Sequence, residues 1–347
     1  LCYLLTDIMG KFDTERYSYQ ELATNAIMYT GGVAFNVRAV SEAENANAYH
    51  IYFSAKGKAL VEKLPQLFDL LQAIALESKL DDVKRFQELV SELKTDWDNN
   101  LFTRGQTVAI SRLYSYCADG ARVNEQDEFS YYQFLKQLVE NFDAQAPQLL
   151  QKLQAMLQRF YQKSAFVLSY SCDREDREYV KTQCLDFIAK LPEADTKGEP
   201  EVLPVCITNE AITTAGKVQY VAAGGNYAKF GHKYVGAMAV LETILRYEYL
   251  WTKIRIQGGA YGATARFELN GLGVFASYRD PQLEKSLQAY KELAAWLKNV
   301  EFPERELNKY VIGTISGMDT PLTNTMRIDK ASTQYLKQVS DELRQRI

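Results

Sequence analysis

The sequence predicts an α+β fold of two homologous units, each a largely antiparallel sheet with helices packed on one face. Three observations carry this reading. Short segments of alternating polarity come in hairpin-like pairs, as in Val33–Val40 with Tyr49–Ser54. Those pairs are followed by blocks of helical spacing instead of alternating with single helices, which argues against a parallel α/β sheet. The order of features also recurs along the chain. Gly31-Gly32 answers to Gly258-Gly259 at a shift of 227 residues, the strand end at Ser54 to that at Ser277 at 223, and Asp98-Asn-Asn-Leu101 to Asp319-Thr-Pro-Leu322 at 221. A slow drift over so long a period is the mark of a duplicated domain and not of a solenoid.

Taken in order, Cys2–Gly10 and Tyr19–Tyr29 carry helical spacing and each ends at glycine. After the strand pair, helices are predicted at Ala59–Leu76, Asp81–Asp96, Thr107–Tyr116, Glu128–Val139 and Ala146–Tyr161. Ala165–Ser171 reads as a strand and Arg174–Leu191 as a helix. The segment from Pro192 to Pro200 alone has linker composition, rich in Pro, Gly and charge, and sets the expected boundary between units 1–195 and 196–347. Strands follow at Val202–Ile207 and Lys217–Ala222, then a loop over Ala223–Phe230 and a helix from Tyr234 to Trp251. Leu272–Tyr278 is a strand, and Pro281–Leu297, Glu304–Ile315 and Thr323–Leu343 are helices. Compared with each other, the first unit begins without the strands that open the second, and the second stops short of the last elements of the first. Both ends are expected to be cut from a longer chain.

Composition narrows the function. The 347 residues, 47% hydrophobic and 24% charged, suit two globular domains with full cores. A net charge of -4 points to neither nucleic acid nor an anionic membrane as partner. No apolar run approaches the roughly 18 residues of a membrane span. The start, Leu1–Gly10, lacks the basic residues and cleavage site of a secretory signal. Five scattered cysteines without C-x-x-C spacing predict reduced thiols, and with the missing signal a cytoplasmic setting.

Several motifs have bland explanations. Gly271-Leu-Gly-Val-Phe-Ala276 matches a dinucleotide pattern, but it follows Asn270-Gly271, a hairpin signal of type I′, and runs into a strand. Gly224–Lys233 lacks the Gly-Lys-Ser/Thr ending of a phosphate loop. His50 and His232 are far apart with no His or Cys at ligand spacing, so no metal site is expected in this chain. Asp280-Pro281 reads as a helix cap followed by a first-turn proline.

Arg255 and Tyr261, flanking the Gly258-Gly259 turn, are different. The equivalent positions in the first unit hold Met28 and Ala34, so the fold itself does not require an arginine or a tyrosine there. Both side chains can hydrogen-bond a peptide carbonyl.

At these residues the chain resembles the insulinase (pitrilysin) family of zinc metallopeptidases, and within it the presequence-protease subfamily. The resemblance rests on Arg255-Ile-Gln-Gly-Gly-Ala-Tyr-Gly262 and Ser277-Tyr-Arg-Asp-Pro281, with Leu5–Gly10, Tyr17–Leu22 and Tyr29–Gly32 in the first unit, and it extends over essentially the whole chain. It implies the C-terminal half, domains three and four, of an enzyme whose two halves close around an unstructured peptide. The family's zinc motif, H-x-x-E-H, is absent here, and the corresponding helix, Cys2–Gly10, holds no histidine. Zinc is therefore expected in the full-length enzyme, on the N-terminal half of the same polypeptide, and the fragment alone is expected to be inactive. By the same resemblance Arg255 binds substrate, and Tyr261 binds substrate and assists catalysis. The alternative is a non-catalytic peptide-binding or scaffold subunit of the same fold.

Overall fold

Ser18 and Glu21 close a reciprocal cap on the second helix: the Ser18 hydroxyl accepts the Glu21 N–H, and the Glu21 carboxylate accepts the Ser18 N–H at 2.8 Å. Side-chain caps also start the helices after Asp82, Thr323 and Ser340 in the computed structural model, which describes residues 1–163, 166–193 and 209–347. The first unit runs α1 (Cys2–Ile8), α2 (Tyr19–Tyr29), β1 (Val33–Glu42), β2 (Asn45–Gly57), α3 (Leu64–Leu76) and α4 (Val83–Asn100). It continues with α5 (Gly105–Ser115), α6 (Asp119–Glu125), α7 (Phe129–Glu140), α8 (Phe142–Phe160) and α9 (Arg177–Ala189). The second unit has β3 (Ala222–Asn226), α10 (Ala237–Ile244) continuing without a break into a π-helical segment (Leu245–Ile256), then β4 (Gly262–Phe267) and β5 (Leu272–Tyr278). Four helices close it: α11 (Leu283–Asn299), α12 (Glu304–Met318), α13 (Asn324–Leu336) and α14 (Asp341–Arg346).

All described strand pairings are antiparallel. β1 and β2 pair with Val33 opposite Gly57, and the second sheet has the order β3-β5-β4, with Ala222 opposite Ala276 and Gly262 opposite Tyr278. The α+β class is therefore as the alternation implied. In each unit a helix, a glycine pair, a hairpin and two long helices follow one another. Gly32 and Gly259, the second glycine of each pair, both carry positive φ (120° and 81°), which a side chain would resist.

Each unit has its own core. In the first, Leu4, Leu5 and Ile8 of α1 are fully buried among Phe86 of α4, Leu135 and Leu138 of α7 and Leu153 of α8. Each such burial contributes about 2 kcal/mol. The second core joins Leu245, Tyr249, Leu250 and Ile254 of the π-helical segment to Ala265 of β4 and Ala289, Tyr290 and Leu293 of α11. A small third cluster, Ala46, Ala118 and Leu272 with Tyr114 and Cys117 against it, lies where the units meet. Polar contacts also join the units: Lys56 with Asp329 at 2.5 Å, Arg346 with Glu44 at 2.5 Å, and the Ala43 N–H donating to the Lys337 carbonyl at 2.8 Å.

The structure corrects several expected boundaries. Of the strand expected at Ala165–Ser171, Ala165 lies outside the described residues and residues 166–171 form no strand pairing among the described ones; Phe166 packs against Phe187 at 6.3 Å while Val167 is 53% exposed. The expected strand Val202–Ile207 lies outside the described residues. The strand expected at Lys217–Ala222 contributes only a single bridge, Gln219 with Asp280, before the ladder begins at Ala222. That ladder runs through Gly224-Gly225, where a loop was expected, because glycine permits the close approach: a Cβ at Gly224 would stand 2.1 Å from the Gly273 carbonyl oxygen. Helix α6 was not anticipated. Gly120 lets it lie on the first hairpin, since a Cβ there would be 2.6 Å from Ser41 Oγ.

Asp280 is fully buried and caps less directly than expected. Its carboxylate accepts the Gln282 N–H at 2.8 Å and the Ser286 hydroxyl at 2.6 Å, and α11 begins only at Leu283. The helix expected over Thr323–Leu343 breaks at Gln338, whose φ is 56°, and Ser340 caps a new start. The hairpin at Asn270-Gly271 is present, but its turn is not type I′. Gly271 alone is left-handed (φ 97°), its N–H donates to the Glu268 carbonyl, and Asn270 keeps negative φ.

Candidate functional site

The sequence pattern that builds the site is a helix end. Over Leu245–Ile256 the backbone is wound one residue wider than an α-helix, and the widening persists into the terminator. There the Gln257 N–H donates to the Thr252 carbonyl at 3.0 Å, Gly259 to Arg255 at 3.0 Å and Ala260 to Ile254 at 3.1 Å. Both glycines are needed. A Cβ at Gly258 would lie 2.5 Å from the Ile254 carbonyl oxygen, and Gly259 is left-handed. The chain then turns into β4, and the Tyr261 N–H donates to the Tyr278 carbonyl at 3.0 Å, joining the strand to β5.

This turn brings Arg255 and Tyr261 together. The Arg255 guanidinium carbon lies 5.6 Å from the centre of the Tyr261 ring, and 4.2 Å from the ring of Trp251, one turn earlier on the same helix. Among the described residues no carboxylate pairs with Arg255, and the Tyr261 hydroxyl has no hydrogen-bond partner. Tyr261 is 66% exposed. The donors of both side chains are thus not taken up by the described residues, which is what a carbonyl-binding pair requires. In the first unit the matching positions are exposed as well, with Met28 62% exposed and Ala34 at the surface. Packing demands no particular residue there in either unit.

The pair is one end of a longer row of rings. Tyr261 meets Tyr278 edge-on at 5.9 Å, Tyr278 meets Tyr220 at 5.2 Å, and Tyr220 meets Phe102 of the first unit at 5.6 Å. Tyr220 sits directly over Gly105, where a Cβ would stand 2.2 Å from its ring. Arg279, exposed and at φ 49°, lies 5.6 Å from the Tyr278 ring. A left-handed backbone at a non-glycine residue costs about 1–2 kcal/mol and is concentrated at functional sites. Sequence reasoning passed over Trp251, and read Arg279 only as the end of a strand before a capped helix, with no function of its own. Trp251 was visible as an aromatic four residues before Arg255, whereas the left-handed backbone of Arg279 is not written in local sequence.

The remaining sequence candidates form no site. His50 on β2 and His232 after the loop are both exposed, and among the described residues no group of three or more His, Cys, Asp or Glu is placed to hold a metal. Helix α1 offers Cys2 and Asp7 and no histidine, and Asp7 is engaged by the Tyr131 hydroxyl at 2.7 Å. The described residues do not fit a zinc ion. No helix of the described residues is long and apolar enough to cross a membrane.

Comparison with known proteins gives consistent matches. Residues 1–138 match the family model for the domain associated with peptidase family M16, subfamily C, and residues 209–347 that of the PreP C-terminal domain. The chain is 33% identical over 340 residues to Protein HypA of Clostridium perfringens, covering 98% of this chain and 35% of that protein. It is 28% identical over 297 residues to presequence protease 1, chloroplastic/mitochondrial, of Arabidopsis thaliana, covering 84% of this chain and 27% of that protein. It thus spans about a third of the length of the curated relatives it matches. Among solved structures, the peptidase M16 inactive domain from Pseudomonas fluorescens superposes with a TM-score of 0.60 at 13% identity, covering 99% of this chain and 80% of that one, which shows the shared fold.

Proposed function

The chain belongs to the peptidase M16 family, on its presequence-protease-like branch, where it corresponds to the C-terminal half; from that membership we propose that it closes the substrate chamber of a zinc-dependent endopeptidase and supplies Arg255 and Tyr261 to the active site. The substrates are short unstructured peptides, and the partner is the N-terminal half of the same polypeptide. Under this proposal residues 1–195 and 196–347 act as the third and fourth domains of the enzyme. Zinc is held outside this chain, whose described residues provide no place for it.

One observation carries the reading: two neighbouring side chains, whose donors have no hydrogen-bond or ion-pair partner among the described residues, stand at positions where the first unit has Met28 and Ala34. The chemistry follows from the side chains. A guanidinium offers a fixed fork of donors to a substrate carbonyl, through charge-assisted bonds. The Tyr261 phenol donates its proton to the oxyanion that develops as the carbonyl becomes tetrahedral. Such a donor acts on charge that appears only in the transition state, so its effect falls on kcat.

The test is Arg255→Ala in the full-length polypeptide, assayed on an unstructured peptide. Loss of kcat/KM by about two orders of magnitude is expected for removing such a donor. Unchanged kcat/KM would remove Arg255 from the site and, with it, the enzyme reading of this half.

A further inference from the structure

The geometry points to Trp251 as a positioning residue that holds the Arg255 guanidinium over its indole and leaves its outward donors for substrate. The inference rests on the proposed role of Arg255 and adds to it a residue that acts only through the arginine.

An arginine at a surface helix end has many rotamers, and something must select one if it is to meet a carbonyl at a fixed place. The usual device is a carboxylate partner, but an ion pair consumes the N–H donors that substrate needs. Aromatic faces solve this differently, because a ring holds the cation through its π face while the donors point outward from the guanidinium rim. Arg255 has that arrangement. Its guanidinium carbon is 4.2 Å from the Trp251 ring centre, within the range of about 6 Å for a cation–π contact, and 5.6 Å from the ring of Tyr261. Trp251 is 40% exposed, so it is not held there mainly as core.

The duplication strengthens the assignment. The shift that relates Arg255 to Met28 and Tyr261 to Ala34 relates Trp251 to Thr24, which is exposed and whose hydroxyl donates back to the Gln20 carbonyl at 2.8 Å. All three members of the set are therefore absent together in the first unit, where neither an arginine nor a tyrosine needs a support.

The experiment uses the full-length polypeptide with peptide substrate. Trp251 is replaced site-specifically by tryptophans carrying successively more fluorine, which keep the shape of the ring and weaken its attraction for a cation. Trp251→Ala and Trp251→Phe are measured beside them, and the fluorinated series is repeated in an Arg255→Ala background. Peptide affinity of the zinc-stripped protein, read by fluorescence anisotropy, gives a second measure independent of turnover. The expected result is a stepwise fall in kcat/KM with fluorination, about tenfold loss in Trp251→Ala and substantial rescue in Trp251→Phe, with weaker peptide binding in the same order. In the Arg255→Ala background the series should be flat. A flat series with Arg255 present, or an equal slope without it, overturns the positioning role while leaving the role of Arg255 standing. Full activity of Arg255→Ala itself overturns both.

Discussion

The backbone N–H of Tyr261 donates to the carbonyl of Tyr278 at 3.0 Å, so the strand holds this tyrosine in place and its hydroxyl has no structural duty among the described residues. Tyr261→Phe keeps that bond and the edge-on ring contact. Under the proposed role, in the full-length polypeptide it should leave the melting temperature within a degree or two of wild type while lowering kcat about 100-fold or more, the cost of one oxyanion donor. Equal kcat for the two proteins would take Tyr261 out of the reaction.

Two adjacent glycines give a matched pair for stability. A Cβ at Gly224 would meet the Gly273 carbonyl oxygen at 2.1 Å, whereas one at Gly225 meets nothing within 4 Å. Gly224→Ala should destabilise by about 2 kcal/mol or more by forcing β3 off β5. Gly225→Ala should change stability by less than about 1 kcal/mol. Urea unfolding of the two variants tests this, and similar midpoints would count against the close strand approach.

At the junction between units, apolar burial should outweigh charge. Leu272 is 4% exposed in the junction cluster, and Leu272→Ala is expected to cost about 2–4 kcal/mol. Arg346, paired with Glu44 at 2.5 Å, is 35% exposed on its side chain and its partner 44%, so Arg346→Ala should cost less than about 1 kcal/mol, and less still in high salt. Comparing the two by denaturant titration at low and high salt decides the ranking.

Burial on α1 raises the carboxyl of Asp7 above its ordinary value, and the Tyr131 hydroxyl only partly opposes this. The folded protein therefore keeps the proton to higher pH than the unfolded chain does. Between the two values the native state binds more protons, so stability from this group falls as pH rises from near 4 through the folded value. Asp7→Asn, which still offers an oxygen to Tyr131, should gain stability relative to wild type at pH 7 and show less advantage at pH 4. Thermal melts at the two pH values read the difference; an advantage that is larger at pH 4 would reverse the assignment.

Much of the architecture was legible because it is written in spacing. The leucines of α8 and the alternation in β1 report directly on which faces are buried. What escaped was decided by contact between distant segments. Gly224-Gly225 reads as a loop until Gly273 is placed beside it, and α6 becomes a helix on a hairpin that Gly120 allows it to approach. The break at Gln338 has no breaker residue to announce it. It falls where the Lys337 carbonyl accepts the Ala43 N–H and the Gln338 amide donates to Glu42 at 3.3 Å, contacts with the first unit that a continuous helix would forgo. At the site, the pair Arg255 and Tyr261 stood out through comparison of the two copies, whereas Trp251 needed the geometry of the widened helix.

The seat of Tyr220 on Gly105 bears on how interchangeable the two units are. From that seat the rings of Tyr220, Tyr278 and Tyr261 lead to Arg255, so the reference point for the site lies in the first unit although its donors belong to the second. A chimera that grafts the second unit onto a relative with any larger residue at position 105 would inherit both donors and lose their alignment. With Tyr220 seated on Gly105 and against Phe102, the two units are not separable modules.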